Sequence, residues 1–262
     1  MAIVSKPFGP QQRNTALERL ATERFDVLVI GGGVVGCGIA LDAATRGLSV
    51  ALVEAQDFAA GTSSRSSKLI HGGLRYLEYY EFRLVREALI EREVLLRSAP
   101  HIMWPMRFVM PHDKGQRPSW MIRAGLLIYD FLAKREILPG SGGIDLRSHA
   151  AGKPLKPEFT KGFIYSDGWV DDARLVVLNA KDAAEHGAAV RTRTRVSSAR
   201  REDGLWRIEA GNEIFHARAL INAAGPRVLE VERIAGDAPE YAMRLVRGSH
   251  IVVPRLFDHD YA

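Results

Sequence analysis

The sequence predicts an α/β fold built around a parallel sheet whose two faces are both covered. Three observations within residues 25–54 support this class: two apolar runs, a glycine-rich turn after the first run, and a helical stretch of small residues between them. Continuous apolar strands are typical of parallel sheets whose two faces are both covered. A strand, a helix and a second strand within about 30 residues therefore predict a βαβ unit.

The other elements follow from hydrophobic periodicity and from residues that end helices. Gly47 and Gly187 each follow a predicted helix, and glycine is favoured just past a helix C-terminus. Asp171 and Asp172 can cap the helix that begins there. In chain order the prediction is a tail over 1–24 with a short helix near its end, strands over 25–30 and 48–53 flanking a helix over 33–46, helices over 81–98, 120–134 and 172–185, and strands over 105–109, 162–165, 189–194, 196–202, 205–210 and 213–222.

Composition limits the class of protein without choosing a function. Of 262 residues, 47% are apolar and 26% are charged, and the net charge of +5 is spread along the chain. An excess of positive charge suits an anionic substrate, an anionic membrane surface or nucleic acid as the partner. Nucleic acid is the least expected of the three, because the sequence has no basic patch interleaved with aromatic residues. No cluster has metal-ligand spacing, so no metal is expected.

Cysteine usage and hydropathy bear on the compartment. Cys37 is the only cysteine, so no disulfide framework forms and a reducing compartment is expected. The N-terminus lacks the apolar core of a signal peptide, and the longest uncharged stretch, Val27 to Leu41, is too short and glycine-rich to span a bilayer. We therefore expect a cytoplasmic protein or one bound to a membrane from one side.

The turn Gly31-x-Gly33-x-x-Gly36 lies between a predicted strand and a predicted helix, where this spacing indicates a dinucleotide site. Gly31 allows the tight turn, Gly33 lets the backbone approach a pyrophosphate at the helix N-terminus, and Gly36 lets the helix pack close to the strand. Glu54 ends the second strand, where a carboxylate can accept hydrogen bonds from ribose hydroxyls. An acid there favours FAD or NAD over NADP.

The remainder of the chain favours FAD over NAD. A nicotinamide enzyme usually continues with a second βαβαβ half, whereas here the alternation stops after the second strand and a polar loop follows. The later strand "ALINAAGP" ends in small residues, so Ala224 and Gly225 can lie beside the cofactor at the carboxyl edge of the sheet.

Three longer strings carry a resemblance to a known family: "TSSRSSKLIHGGLRYLEYYEFRLVREAL", "YSDGWVDDARLV" and "RLVRGSHIVVP". They resemble the FAD-dependent aerobic glycerol-3-phosphate dehydrogenases, from about Phe25 to the last residue. The resemblance implies an FAD/NAD(P)-binding Rossmann-like fold of the glutathione-reductase-like, D-amino-acid oxidase group. It also implies oxidation of sn-glycerol 3-phosphate to dihydroxyacetone phosphate, with hydride passing to FAD and electrons to a membrane quinone.

The resemblance also implies catalytic residues. Residues of the family that match Arg75 and Tyr76 lie at the substrate site, and the match of His250 lies close to flavin and substrate. A guanidinium suits phosphate oxygens, so Arg75 is assigned to substrate binding and Tyr76 to orienting the substrate hydroxyl. His250 is the candidate base, because its ordinary pKa of about 6.5 allows it to accept a proton near neutrality. Without the resemblance, Arg75 would be a surface arginine and His250 a structural histidine.

Further residues are expected to contact FAD. The serine-rich loop offers hydroxyl and amide groups to pyrophosphate or ribitol oxygens, with a solvated loop as the alternative. Val196 corresponds to a strand residue that contacts adenine in related flavoproteins. The expected cofactor contacts beyond the glycine motif and Glu54 are Thr62, Ser63, Ser64, Ser67, Lys68, Leu69, His71, Gly73, Val196, Ala224 and Gly225. For His71 a bond to the backbone of its own loop is the alternative, and proximity to the flavin is favoured.

Members of the resembling family are about twice as long, so we expect this chain to be its N-terminal half. The predicted organisation is a tail over 1–24, a discontinuous FAD-binding domain over 25–100 and 155–235, and part of an α+β substrate domain over 101–154 and 236–262. Two rival functions stay open: another FAD oxidoreductase of the D-amino-acid or glycine oxidase group, and a fragment that binds FAD without turnover.

The expected partners are glycerol 3-phosphate, a quinone acceptor and the inner face of the cytoplasmic membrane, with a homodimer as one option. The segment "SWMIRAGLLIYDFLAKREIL" mixes aromatic and aliphatic residues with Arg and Lys. It could lie flat on a bilayer, although a core helix is the favoured interpretation.

Overall fold

A computed structural model describes residues 8–236, 238 and 240–262 of the chain. Its helices are α1 (Pro10–Thr22), α2 (Val34–Thr45), α3 (Phe82–Ser98), α4 (Ser119–Phe131), α5 (Asp172–Glu185) and α6 (Val228–Ile234). Its strands are β1 (Arg24–Ile30), β2 (Val50–Val53), β3 (Leu69–Ile70), β4 (Met103–His112), β5 (Gly142–Asp145), β6 (Lys161–Val170), β7 (Ala189–Arg191), β8 (Ser198–Glu202), β9 (Leu205–Ala210) and β10 (Glu213–Asn222).

The chain divides into two compact units. The first comprises the described residues of Met1–Ser66 and Asp172–His250, and the second comprises Ser67–Asp171 and Ile251–Ala262. These limits differ from the predicted domains, because residues 67–100 and 155–171 fall in the second unit and the described residues of 236–250 fall in the first. The predicted division into an FAD-binding and a substrate domain stays a prediction.

The first unit is built on a six-stranded sheet in the order β7-β2-β1-β10-β9-β8. The pairs β7–β2, β2–β1 and β1–β10 are parallel, and β10–β9 and β9–β8 are antiparallel. The predicted α/β class is therefore confirmed, and the predicted parallel pairing holds for β7, β2, β1 and β10, whereas β9 and β8 extend the sheet in antiparallel pairing.

Alternate residues of the central strands face two different apolar clusters. Leu28 and Ile30 of β1 belong to a cluster that also contains residues of α1 and α6, whereas Val29 belongs to one formed with α2 and α5. Since successive side chains of a strand point to opposite faces, both faces of the parallel region are covered. Cys37 lies in the second cluster, where burial raises the pKa of its thiol to about 12.

The helix α1 is longer than predicted and packs onto the first unit. Its Ala16 and Leu20 are buried in the cluster on one face of the sheet. Arg13 and Arg19 donate to the backbone oxygens of Thr192 and Gly187, at 2.7 and 2.8 Å. The described part of the predicted tail is therefore integral to the first unit.

The second unit has an antiparallel sheet in the order β3-β6-β4, with β5 also paired to β6. Both β4 and β6 extend well beyond their predicted limits of 105–109 and 162–165. The prolines of β4 lie opposite glycines of β6, Pro105 against Gly168 and Pro111 against Gly162.

The helix α4 has one buried and one exposed side. Leu126, Tyr129 and Asp130 are buried, whereas Trp120 and Phe131 are 68% and 79% exposed. It is therefore neither a fully buried core helix nor a wholly exposed one. Among the described residues, no helix is long and apolar enough to cross a membrane.

Candidate functional site

The glycine turn after β1 is a place where two backbone segments approach too closely for side chains. A Cβ on Gly31, whose φ is +119°, would lie 2.3 Å from the carbonyl oxygen of Ala223. A Cβ on Gly36 would lie 1.9 Å from the carbonyl oxygen of Gly31 and 3.3 Å from the Ala223 side chain. The close packing of α2 on the ends of β1 and β10 therefore requires glycine at both positions.

The N-terminus of α2 opens beside this turn. Gly33 precedes the first helical residue in extended conformation, and a Cβ there would lie 3.1 Å from Ser63 Oγ. The Val34 amide donates to that hydroxyl at 2.9 Å. First-turn amides have no partner within their own helix and, with the helix dipole, favour an anion. The cradle left by the missing side chain of Gly33 thus fits the diphosphate of a dinucleotide.

Glu54 follows β2 directly, as the sequence predicts. Its Oε2 accepts from the Gly32 amide and its Oε1 from the Gln56 amide, both at 2.7 Å. A Cβ on Gly32 would lie 2.8 Å from the Cβ of Glu54, so glycine is also required there. The carboxylate is therefore anchored beside the turn by two backbone amides.

The end of β10 lies beside the end of β1. The Ala223 amide donates to the Ile30 carbonyl at 2.9 Å, continuing the parallel pairing. Ala224 follows, and Gly225, with φ of +56°, begins a short 3-10 helix. Ala224 and Gly225 were predicted from the sequence, whereas Ala223, the residue that contacts the turn, was not.

Within the first unit, the structure brings Gly31, Gly33, Gly36, Glu54 and Ser63 together. Thr62 and Ser64 lie in the same short 3-10 helix as Ser63. Val196 lies before β8 rather than in a strand, and it packs against the core cluster. Its strand placement was wrong because β7 ends at Arg191 and β8 begins at Ser198. The cofactor contacts assigned to these residues stay predictions.

His250 lies in an exposed stretch with neither helix nor strand. Its role as a base stays a prediction.

The other predicted site residues lie in one segment of the second unit. Lys68 has a φ of +58°, and its carbonyl accepts from the Val170 amide at 2.9 Å. Ser67 precedes it, and Leu69 begins β3, opposite Trp169. A positive φ on lysine is strained, and such residues concentrate at functional sites.

The segment then turns through two glycines. His71 Nδ1 accepts from the Gly73 amide at 3.0 Å. Gly73 has a φ of +72°, and a Cβ there would lie 2.6 Å from Cδ2 of Tyr76. Arg75 and Tyr76 follow in a 3-10 helix over Leu74–Tyr79; Arg75 is exposed and Tyr76 is 48% exposed. The turn therefore presents both side chains to solvent.

The side chains that hold this turn, Tyr129, Asp167 and Arg92, were not predicted from the sequence. The Gly72 amide donates to the Tyr129 hydroxyl at 2.8 Å, and that hydroxyl donates to Asp167 Oδ1 at 2.7 Å. Arg92 Nη1 donates to the same carboxylate oxygen at 2.6 Å. Burial, together with the Asp167 charge, raises the pKa of Tyr129 above its ordinary value. The sequence contains one indication of these side chains. Arg92, a charged residue, lies within the apolar stripe that Val85, Leu89 and Leu96 form on α3.

Comparison with known proteins agrees with this geometry. The family of FAD-dependent oxidoreductases (DAO) matches residues 26–261. Glycerol-3-phosphate dehydrogenase of Pseudomonas tolaasii is 60% identical over 92% of this chain and 47% of its own length. D-erythritol 1-phosphate dehydrogenase of Brucella abortus is 57% identical over 90% of this chain and 48% of its own length.

Among solved structures, glycerol-3-phosphate dehydrogenase of Bacillus halodurans, complexed with FAD, is similar. Its TM-score is 0.64 at 29% identity, over 85% of this chain and 38% of that one. The chain spans about half the length of the curated relatives it matches. The resemblance found in the sequence is thus confirmed, and the chain belongs to the family of FAD-dependent oxidoreductases.

Proposed function

We propose that the protein containing this chain oxidises sn-glycerol 3-phosphate to dihydroxyacetone phosphate with FAD bound to the first unit. The observation that carries the proposal is the glycine cradle at the N-terminus of α2, with Glu54 anchored beside it. The secondary alcohol carbon loses a hydride and its hydroxyl loses a proton, which yields the ketone. FAD, when bound, supplies the hydride acceptor.

The residues of the first unit hold the adenosine diphosphate part of the cofactor. First-turn amides of α2 bind the pyrophosphate, and Gly33 keeps that approach open. Glu54 accepts from the ribose hydroxyls, and its negative charge disfavours a phosphorylated ribose. Thr62 and Ser64 add hydroxyl groups near the same turn.

The exposed side chains of Arg75, Tyr76 and His250 act on the substrate. The guanidinium of Arg75 holds the phosphate through paired hydrogen bonds, and the Tyr76 hydroxyl orients the alcohol. His250 accepts the proton of the substrate hydroxyl. The remaining residues predicted to contact FAD, from Ser67 to Gly73, lie on the segment that leads to Arg75.

D-erythritol 1-phosphate is a second candidate substrate. The relative of that name is 57% identical to this chain, close to the 60% of the glycerol-3-phosphate dehydrogenase. Both compounds are phosphate monoesters of polyols, so the role of Arg75 is common to them.

Anaerobic flavin reduction tests the proposal and separates its rivals. The protein that contains this chain is purified with FAD, and its visible spectrum is recorded before and after each compound is added. Bleaching by glycerol 3-phosphate, with a higher kcat/KM than for D-erythritol 1-phosphate, is the expected result. Bleaching only by D-erythritol 1-phosphate favours the second candidate. Bleaching by glycine, sarcosine or 2-hydroxyglutarate alone, or by none of the compounds, contradicts both candidates.

We also propose that the protein lies on the inner face of the cytoplasmic membrane and passes electrons to a quinone. The exposed apolar residues of α4, among them Trp120, Leu127 and Phe131, support an interfacial position for this helix. Flotation with anionic vesicles is the test. The Trp120→Ser, Phe131→Ser double variant should float markedly less than the parent protein, and equal flotation would contradict the role of α4.

A further inference from the structure

Two side chains of the second unit accept hydrogen bonds from one backbone amide, and Arg92 contacts both of them. Arg92 comes from α3, Tyr129 from α4 and Asp167 from β6, and all three are buried. The amide belongs to Gly72, which donates to Tyr129 Oη at 2.8 Å and more weakly to Asp167 Oδ1 at 3.3 Å. Two elements distant in sequence, α4 and β6, are thus bonded to the turn that precedes Arg75, and α3 is joined to both of them through Arg92.

The Tyr129 hydroxyl uses its proton and both of its lone pairs in hydrogen bonds. Its one proton goes to Asp167, and its lone pairs accept from Gly72 and, at 3.3 Å, from Arg92 Nη1. Arg92 pairs with the Asp167 carboxylate at 2.6 Å and with that of Glu93 at 3.6 Å, and it also donates to the Ser166 carbonyl at 3.2 Å. The Tyr129 hydroxyl can bind both groups only when its proton points to the carboxylate, because a carboxylate accepts hydrogen bonds and an amide N–H donates them.

Stability alone is a weak reason for such a group. Arg92 is only 1% exposed, and removing an ion pair from water costs about as much as the pair returns. Apolar residues of similar volume would serve the core equally well. What apolar residues cannot supply is a directed acceptor for the Gly72 amide.

Further contacts hold the backbone of the turn on both sides of Gly72, up to and beyond Arg75. A Cβ on Gly72 would lie 2.3 Å from Leu89 Cδ2 and 2.6 Å from Tyr129 Oη, so the backbone is seated closely against both side chains. The Gly73 amide is bonded to His71 Nδ1, and the Tyr76 amide donates to the Gly73 carbonyl at 2.8 Å. The backbone from residue 71 to residue 76 is thus held at successive positions.

We propose that Tyr129 and Asp167, with Arg92, are positioning residues that set the substrate affinity of Arg75 and Tyr76 by fixing the Gly72 amide. The inference rests on the proposed function, because it takes Arg75 as the group that binds the substrate phosphate. None of the three touches the substrate; they act through the turn.

The test is Tyr129→Phe in the protein that contains this chain, with Tyr165→Phe as the matched control. Tyr165 lies on β6, two residues from Asp167, and stacks on Phe108 at 5.2 Å between ring centroids. We expect KM for glycerol 3-phosphate to rise about 10- to 100-fold in Tyr129→Phe, since a small misplacement of a binding group costs that much. The value of kcat should change less than about threefold, because ground-state binding is what is lost. The control should keep the parent KM.

The split between KM and kcat distinguishes positioning from a merely structural role. A structural defect lowers the fraction of active protein, so kcat falls at unchanged KM, and that result would overturn the proposal. Asp167→Asn is the second variant, with the same expected rise in KM; if neither variant folds, the group serves the fold and the proposal is wrong. If the parent protein turns over no polyol phosphate, the proposed function fails, whereas normal turnover with unchanged KM in both variants defeats this inference alone.

Discussion

The two turns that carry predicted site residues, one in each unit, are held by different means. In the first unit, the turn at Gly31 is held by the direct approach of backbone to backbone, with a carbonyl oxygen 1.9 Å from where a Cβ on Gly36 would lie. In the second unit, the turn at Gly72 is held by the buried side chains of Tyr129 and Asp167. Glycine is required in both turns, but its neighbours are rigid in one and movable in the other.

This difference predicts how each turn responds to change. The Gly31 carbonyl directly follows β1, and the Gly31 amide is bonded to the Val53 carbonyl at 2.9 Å, so this backbone cannot move without disturbing the end of the strand pairing. The end of a leucine or tyrosine side chain, in contrast, can shift by rotation. We therefore expect substitutions in the first turn to disrupt folding and FAD binding, and those in the second to alter substrate affinity.

The largest effect is expected for Gly36→Ala. The new Cβ meets the Gly31 carbonyl, so α2 must leave the sheet, and we expect a loss of more than about 4 kcal/mol in the free energy of unfolding. Urea unfolding measures it. Gly38→Ala is the control, because it lies on the same helix with open space around it and should stabilise by about 0.5–1 kcal/mol. Equal stability of the two variants would contradict the close approach.

Gly72→Ala should cost less, about 1–3 kcal/mol, because Leu89 and Tyr129 can adjust. The same urea titration measures this loss, and Gly143→Ala on β5, with no atom within 4 Å of its added Cβ, is the control. A loss as large as that of Gly36→Ala would show that the second turn is as rigid as the first.

Ser63→Ala removes the acceptor of the Val34 amide. We expect a loss of about 1 kcal/mol in stability, as for a helix N-cap, and weaker FAD binding in a fluorescence titration. Thr15→Ala, which removes a hydroxyl bonded to a carbonyl of its own helix α1, should leave FAD affinity unchanged. Unaltered FAD affinity of the Ser63→Ala variant would show that this hydroxyl does not contribute to FAD binding.

The smallest effect concerns acid stability. Asp26 accepts from the amide and hydroxyl of Ser49 and from Arg218, and these bonds hold the pKa of its carboxyl below the ordinary value. Such a group stabilises the folded state above the unfolded pKa, about 4, and this contribution is lost as pH falls through the folded pKa. Asp26→Asn should therefore be less stable than the parent at pH 6 and closer to it at pH 2.5. A difference independent of pH, measured by urea unfolding, would contradict this.

The first turn could be predicted from the sequence because its causes are local. Gly31, Gly33, Gly36 and Glu54 lie within one βαβ unit, and their spacing reflects the geometry of that unit. Only Ala223 comes from far along the chain. The next two residues, Ala224 and Gly225, were predicted because they follow an apolar strand.

The second turn could not be predicted in the same way because its support is non-local. Tyr129 and Asp167 are separated from Gly72 by 57 and 95 residues. Pro105 and Pro111 concealed the length of β4, and prolines are tolerated there because β4 is the last strand of the β3-β6-β4 order. The resemblance pointed to Arg75 and Tyr76, but the packing that holds them appears only in the folded structure.

That the glycine turn at the N-terminus of α2 binds FAD is tested most directly by titrating the chain with FAD and following flavin fluorescence and absorbance. The claim predicts one FAD bound per chain by the parent and by Gly38→Ala, no displacement by NAD, and no binding by Gly36→Ala. A folded parent chain that binds no FAD, or a Gly36→Ala chain that binds it as tightly as the parent, would contradict the claim.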